Sequence, residues 1–576
     1  MKRNQRFTMV VGNPPYSNFG QTNKNPFILR LLDDYKRGLD EKKINLDDDF
    51  IKFVRFSQHL IDQSWVGVIG MITSSTYLDG LTHRRMRASL CESFNRVGVL
   101  NLHGSSKRQE KNPSGGIEEN IFDIQAGVAV SLFSKKETCF AVEYADLWGA
   151  RDEKYRQLDN SSSQRMAWAQ LTPVSPYWFF RPKELASSVE YQTWLALKDL
   201  FRAGGCGIKT ERDRVSIHWT KEDCREAVED FRTQSESTLR TKYDLHTDSR
   251  DWKVANAKAD VRANRNESLF CRILYRPFDI RHTWYSGQTR GFIGTPGCPT
   301  MRHMLNRRNI ALLTCRQQAE LGFHHAFCTT LLAECCTVSL KTREITSVFP
   351  LYLLSDDETQ HSFDSRPEYE PSFSHSLLKG LSTALGLPQQ GVHGMPASVM
   401  PEDIFNYVYA VLHSPTYRTR YSEFLKIDFP RLPLTSSLDL FRALSQLGGE
   451  LVALHLMESP KLDQHLTTYT GPAAPVVEKV SWANNTVWLD KAQKSGFRGV
   501  PENVWNFHIG GYQVCNKWLK DRKGRTLTAD DINHYHRIVV ALSETIRLMA
   551  EIDEVIDRHG GWPGAFVTES NMPEKI

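Results

Sequence analysis

The 576-residue sequence has no C-x-x-C pair, no run of about 18 or more apolar residues and no G-x-x-x-x-G-K-[ST] phosphate loop. Eleven cysteines are scattered, with Cys335 and Cys336 the one adjacent pair. Neither a zinc site nor a disulfide framework is signalled, so no metal is expected and the thiols are expected to be reduced and mostly packed. Without a long apolar run no membrane-spanning helix is expected, and the opening MKRNQRFTMVVG is too short an apolar segment for a secretion signal before Asn13 and Pro14 intervene. A cytoplasmic protein is the expectation. Lacking the phosphate loop and a convincing set of nuclease carboxylates, the chain is not expected to translocate or cut a polymer. A strong charge of one sign is lacking too: a formal +5 permits a nucleic-acid partner without requiring one.

What is present suits an ordinary soluble chain, 40% hydrophobic and 24% charged, long enough for roughly two to four domains. Phe7 to Val11 is a short, nearly continuous apolar run, the pattern of a strand buried on both faces of a parallel sheet. Residues 49–62, DFIKFVRFSQHLID, place Phe50, Phe53, Val54 and Leu60 at helical spacing and lead into an apolar strand over 66–72. A basic helical stretch, LTHRRMRASLCESF, a strand from Val97 to Leu102, a polar loop at 104–118 and a strand from Ala126 to Phe133 follow. This order predicts an open α/β sheet, whose ligands sit at the carboxyl ends of its strands.

Asn13 falls at one such end, in the run N-P-P-Y. Its side-chain oxygen and the carbonyl of Pro14 can accept two hydrogen bonds from one exocyclic amine, while the fixed φ of Pro14 and Pro15 holds those acceptors still and Tyr16 can stack on the ring that bears the amine. An aryl amine is a poor nucleophile because its lone pair is delocalised. Two acceptors pulling on its hydrogens favour an sp³-like nitrogen aimed at an electrophile, which is catalysis by positioning and electrostatics.

N-P-P-Y at a strand end resembles the catalytic motif of the amino-methyltransferases, most often the N6-adenine DNA methyltransferases. SWVGVIGMITSSTYLDG resembles the strand and loop that wall the base pocket in that family, and ENIFDIQAGVAVSLFSKK resembles the later segment that supplies a second stacking aromatic, by position Phe122. VEYADLWGARDEKYRQL at 142–158, LYRPFDIRHTWY at 274–285 and MRHMLNRRNIALLTCRQ at 301–317 resemble the type ISP restriction-modification enzymes and related fused type II enzymes, from residue 7 almost to the C-terminus. The resemblance implies S-adenosylmethionine as cofactor, double-stranded DNA as partner, an extruded adenine between Tyr16 and Phe122, and a target-recognition domain after the methyltransferase.

One departure stands out. The family's Gly-rich cofactor loop precedes N-P-P-Y, and here only twelve residues do; the later clusters AGGCGIK, HIGGYQV and RHGGWPGAF lack its pattern and are expected to be turns. The expectation is therefore the C-terminal half of a Rossmann-like methyltransferase sheet, whose first strand would expose an apolar edge, completed by an upstream-encoded polypeptide that brings the cofactor site. A gene remnant is the rival.

Past residue 150 the expected plan is a linker over 151–185, then a mixed α+β target-recognition domain in two parts, 186–400 and 401–576, with a helical end. Residues 186–270 read as charged helices, and 355–400 as a loop-rich insertion. Between 271 and 354, Arg276, Arg281, Arg290, Arg302, Arg307, Arg308 and Arg316 are interleaved with Tyr275, Phe278, Trp284, Tyr285 and Phe292. Arginine forks read guanine edges or hold phosphates, and Gln317 and Gln318 suit adenine, so DNA contact is expected here unless these arginines pair internally with carboxylates. Residues 502–520 read as a hairpin or turn. Thr528 with Asp531 caps a last helix whose Ile532, Tyr535, Val539, Leu542, Ile546 and Met549 form a seam. Three readings stay open: an adenine or cytosine-N4 DNA methyltransferase part, a non-catalytic DNA-binding specificity module, and, ranked low, methylation of protein glutamine or ribosomal RNA.

Overall fold

The alternating apolar segments of the first 150 residues form the elements β1 (Met9–Gly12), α1 (Pro26–Lys36), α2 (Asp49–Asp62), β2 (Gly67–Ser74), α3 (Arg84–Ser93), β3 (Arg96–His103), β4 (Val128–Lys135) and β5 (Ala141–Asp146). In this computed structural model the chain divides into two units, Met1–Leu185 and Ala186–Ile576. The structure describes residues 6–15, 23–39, 46–106, 110, 112–136, 139–162, 166–183, 188–318, 322–339, 344–354 and 369–567. Residues 151–183, expected as a linker, add α4 (Arg151–Asn160) and β6 (Ala169–Leu171) to the first unit, and 186–400 and 401–576 share the second.

The sheet of the first unit runs β1-β2-β4-β3-β5-β6. β1 is parallel to β2 and β3 to β5, while β4 is antiparallel to both β2 and β3. The carboxyl ends of β1, β2, β3 and β5 therefore share one rim. Period-two alternation splits the side chains between faces. Ile69, Met71, Val97, Val99, Ala129 and Phe133 pack under Leu32, Phe50, Val54, Met86 and Leu90 of the three helices. On α2, Phe53 lies outside this core, 45% exposed.

The expectation of a strand buried on both faces does not hold for β1. Among the described residues it pairs with β2 alone, and Met9 and Val11 are 67% and 75% exposed. In register with them, Val68 and Leu132 are also exposed on the same sheet face. An apolar strand with one neighbour has nothing to cover its second edge.

In the second unit, residues 186–270, expected as charged helices, are helical over Lys221–Thr233, Glu236–Lys242 and Val254–Ala263, but Leu195–Ala196 and Gly205–Cys206 are strands; Ala326–Thr329, Ala311–Cys315, Thr346–Pro350 and Gly205–Cys206 form a four-stranded sheet in that order. Asp279–Trp284 pairs with Phe270–Arg276 in an antiparallel hairpin. The loop-rich expectation for 355–400 fails in part, because His375–Leu385 is a helix with Leu377, Leu378 and Leu381 buried; residues 355–368 lie outside the described residues. The long helix near the C-terminus, Ala529–Arg558, has the Thr528–Asp531 capping box. Its buried stripe takes Tyr535, Val539 and Leu542 and continues through Thr545, Leu548 and Ile552, leaving Ile532, Ile546 and Met549 at its margin. A buried chain of hydrogen bonds, Tyr409 Oη to His455 Nδ1 (2.5 Å) and His455 Nε2 to Thr545 Oγ1 (3.0 Å), ties this helix to Pro401–His413 and Leu438–His455. Of residues 502–520, expected as a hairpin or turn, Glu502–Trp505 and Val514–Lys520 are helices, and His508–Ile509 between them pairs with Tyr512–Gln513 in a hairpin. At its turn Gly510 has φ +56°, and a Cβ there would lie 1.5 Å from the Val338 carbonyl oxygen.

Candidate active site and nucleic-acid interface

The rim of the first sheet is built from strand ends. β1 delivers Asn13 and Pro15 exposed and Pro14 buried. The buried ring anchors the backbone, and among the described residues the Asn13 amide has no hydrogen-bond partner. Tyr16 lies outside the described residues.

After β2, the turn from Ser75 to Gly80 is fixed by Arg87 of α3, fully buried. Its guanidinium donates to the carbonyls of Tyr77 (2.7 Å), Gly80 (2.8 Å) and Tyr177 (2.5 Å). Burial away from water pushes its pKa down to about 9. The Ser75 amide donates to the Gly127 carbonyl at 2.8 Å, joining this turn to the loop between β3 and β4.

That loop carries Phe122, and Asn120 organises it. The Asn120 Nδ2 donates to the carbonyls of Gly104, Ile124 and Ala126 at 2.7–3.1 Å, and its Oδ1 accepts from the Phe122 amide at 2.9 Å. Gly104 (φ +82°) admits this approach, since a Cβ there would meet the Asn120 Cα at 2.4 Å. Fully buried Lys154 of α4 donates to the Leu102 carbonyl, Glu118 Oε1 and the Glu119 carbonyl. Half-buried Phe122 packs against Leu100, Leu102 and Ile121 and lines a cavity of about 380 Å³ with Ser105, Glu110 and Arg151.

Sequence reasoning missed a cluster on the same rim. His103, the last residue of β3, is fully buried and stacks on Trp148 at 3.3 Å; its Nε2 bonds Asp146 Oδ1 (2.5 Å) at the end of β5, and its Nδ1 lies 3.7 Å from Glu110. Burial works to raise the Glu110 pKa, but the nearby His103 imidazole and the hydrogen bond from the Ser105 amide overcome it and hold the carboxyl below its usual range. The available signal was a lone His closing an apolar strand, one strand away from an Asp that closes another.

In the second unit, the interleaved arginines are largely engaged. Arg276 pairs with Glu334 at 2.6 Å, both buried. Arg281 grips Asp279 through two nitrogens at 2.9 and 2.7 Å, and Arg522 reaches the same carboxylate at 3.0 Å. Arg316 pairs with Asp428 (2.8 Å), and Arg290 lies 3.6 Å from Asp251. Arg302, Arg307, Arg308 and Gln317 are exposed, and Gln318 is buried. Among the described residues, two groups bring metal-ligand atom types together, Cys315 with His325 and Glu344, and Glu334 with Cys335 and Cys336. Both are already engaged: His325 bonds Glu344 at 3.1 Å and Glu334 holds Arg276. Burial, with Glu344 adding to it, pushes the Cys315 thiol well up, away from the thiolate a metal needs.

Comparison with known proteins places these units. Residues 199–551 match the model of the Type ISP C-terminal specificity domain, and residues 1–107 match that of the Eco57I restriction-modification methylase. Among solved structures, the ATP-dependent Type ISP restriction-modification enzyme LlaBIII bound to DNA superposes at TM-score 0.67 and 20% identity, covering 95% of this chain and 37% of that one. A DrdV–DNA complex gives 0.66 and 19%, covering 95% and 57%. A nuclease-deletion mutant of the Type ISP enzyme LlaGI, in complex with a DNA substrate mimic, gives 0.63 and 18%, covering 95% and 44%. These establish the fold, and the chain spans 37–57% of the length of these structures. No curated protein matches.

Proposed function

Because this chain belongs to the family of the Type ISP C-terminal specificity domain, matched over residues 199–551, we propose that it carries the target-recognition and base-handling parts of a DNA methyltransferase acting on the N6 amine of adenine within a restriction-modification system. The observation that carries this reading is Asn13, whose amide has no partner among the described residues and is exposed at the carboxyl end of a parallel strand, followed by buried Pro14. There an exocyclic amine donates one hydrogen to the Asn13 Oδ1 and the other to the Pro14 carbonyl, drawing its lone pair out of conjugation. Tyr16 and Phe122 take the two faces of the extruded base, Phe122 from the loop that Asn120 and Lys154 hold. The LlaBIII and DrdV complexes with DNA support double-stranded DNA as this chain's partner.

The methyl donor of such an enzyme is S-adenosylmethionine. Among the described residues, no glycine-rich loop joins a parallel strand to a helix N-terminus, the arrangement that cradles a nucleoside cofactor. We propose that the described residues of the first unit do not hold that group by themselves. Among the described residues no strand pairs with the second edge of β1, and this, with exposed Met9 and Val11, supports the proposal that an upstream-encoded polypeptide adds strands there and brings the cofactor site.

The test is transfer of a labelled methyl group to unmethylated duplex DNA. Transfer is expected when the chain is combined with that polypeptide, and is lost in Asn13→Ala while DNA affinity stays, since phosphate contacts dominate binding. Transfer by the chain alone would refute the need for the second polypeptide. Parallel loss of binding in Asn13→Ala would remove Asn13 from the chemistry.

A further inference from the structure

Three guanidinium groups gather around one indole of the second unit. Half-buried Trp219, just before the helix Lys221–Thr233, has Arg281 at 3.1 Å, Arg525 at 4.1 Å and Arg522 at 4.8 Å from its ring centroid. The three do different work. Arg281 and Arg522 are buried and share Asp279, itself fully buried, so their charge is answered inside the protein and their planes are fixed. Arg525 is exposed, and among the described residues no carboxylate pairs with it.

Arg525 closes a nine-residue stretch, 517–525, in which Lys517, Lys520, Arg522, Lys523 and Arg525 face the single carboxylate of Asp521. That carboxylate accepts from the Tyr512 hydroxyl at 3.1 Å. Lys520 and Lys523 are exposed, and among the described residues neither has a carboxylate partner. A phosphate contact needs a cation that is not already neutralised. This turn meets that condition, whereas Arg276, Arg281 and Arg316 do not.

We propose that the turn carrying Lys520, Lys523 and Arg525, backed by Trp219, is a docking surface for the sugar–phosphate backbone of double-stranded DNA. The proposal rests on the reading of this chain as a DNA-recognition part and locates one face of it. Stacking on Trp219 restricts the Arg525 side chain before DNA arrives, so less conformational freedom is lost on binding, and its planar fork suits phosphate oxygens. Contacts of this kind set the register of protein on duplex and carry no base identity.

The experiment measures binding of the full chain to fluorescent duplexes of two unrelated sequences over a series of salt concentrations, for the wild type, Lys520→Ala, Lys523→Ala, Arg525→Ala and Arg525→Lys. All four substitutions are at exposed positions. For each phosphate contact removed, the slope of log affinity against log salt becomes shallower by about 0.9, equally on both sequences; Arg525→Lys keeps most of the slope. If the wild type binds and the slopes of all three alanine variants are unchanged, the surface is overturned and DNA recognition stands. If weakening is confined to one sequence, the turn reads bases and backbone docking is overturned. If the wild type binds neither duplex, the proposal and the reading beneath it both fall.

Discussion

Lys154 concentrates the support of the Phe122 loop in one side chain. Its ammonium meets the Leu102 carbonyl at 2.7 Å, Glu118 Oε1 at 2.5 Å and the Glu119 carbonyl at 2.6 Å, joining α4 to the end of β3 and to the loop. Lys154→Met keeps most of the apolar stem and removes the charge with its three donated hydrogens. The Glu118 side chain, 1% exposed, is then a buried carboxylate without its cation. Removing one partner of a buried pair costs about 3–5 kcal/mol. In a unit of this size each kcal/mol moves the melting midpoint by about 2–4 °C, so a loss of roughly 6–20 °C is expected in the calorimetric transition of the first unit. Adding Glu118→Gln removes the stranded charge, and the double-mutant cycle should return a coupling of roughly 2 kcal/mol. Hydrogen exchange is expected to accelerate over 118–126 more than over α2. A shift below about 2 °C, equivalent to roughly 1 kcal/mol, or a coupling near zero, would show that the loop is held by something else.

Three further expectations concern the second unit. Asp279→Asn leaves Arg281 and Arg522 buried without their shared counter-ion, and urea unfolding should register a loss of about 3–5 kcal/mol; a loss under about 1 would contradict the geometry. Burial acts to raise the Asp279 pKa, but the Arg281 hydrogen bond and the Arg522 charge prevail and hold it below the usual carboxylate range. Its contribution is therefore present above the unfolded value of about 3.9 and lost as pH falls through the folded one; the acid limb of stability against pH should be flatter in Asp279→Asn than in wild type. Gly510→Ala combines positive φ with a backbone clash at Val338 and should destabilise by more than about 2 kcal/mol, read by the same unfolding assay, whereas a neutral result would mean that the hairpin can move away.

Local patterns made the first unit legible. The helix at 49–62 appears with its predicted ends, and the strands at 66–72 and 97–102 appear within one or two residues, because their apolar periods are long and coincide with burial. β1 differs for a tertiary reason: its composition suits a strand with two neighbours, and among the described residues it has one. The arginines of 276–316 show the limit of composition. An arginine aimed at a phosphate and one aimed at a carboxylate look alike in a row of letters, and the carboxylates that engage Arg276 and Arg316, Glu334 and Asp428, lie 58 and 112 residues away in the chain. His103 with Asp146 was hidden similarly, since only strand order β3-β5 makes them neighbours.

The free edge of β1 also constrains any strand that joins it. Backbone hydrogen bonds would hold such a strand in several alignments with nearly equal strength, so the choice among them falls to side chains. Met9 and Val11 project from one face, and Val10 packs into the helical core on the other. A slip of one residue would exchange the faces of the incoming strand and move the side chains meant for the helical core to the face of Met9 and Val11. The alternation of three residues thus acts as a key for alignment, and because Asn13 follows directly on β1, the alignment that satisfies the key also fixes where the amide stands.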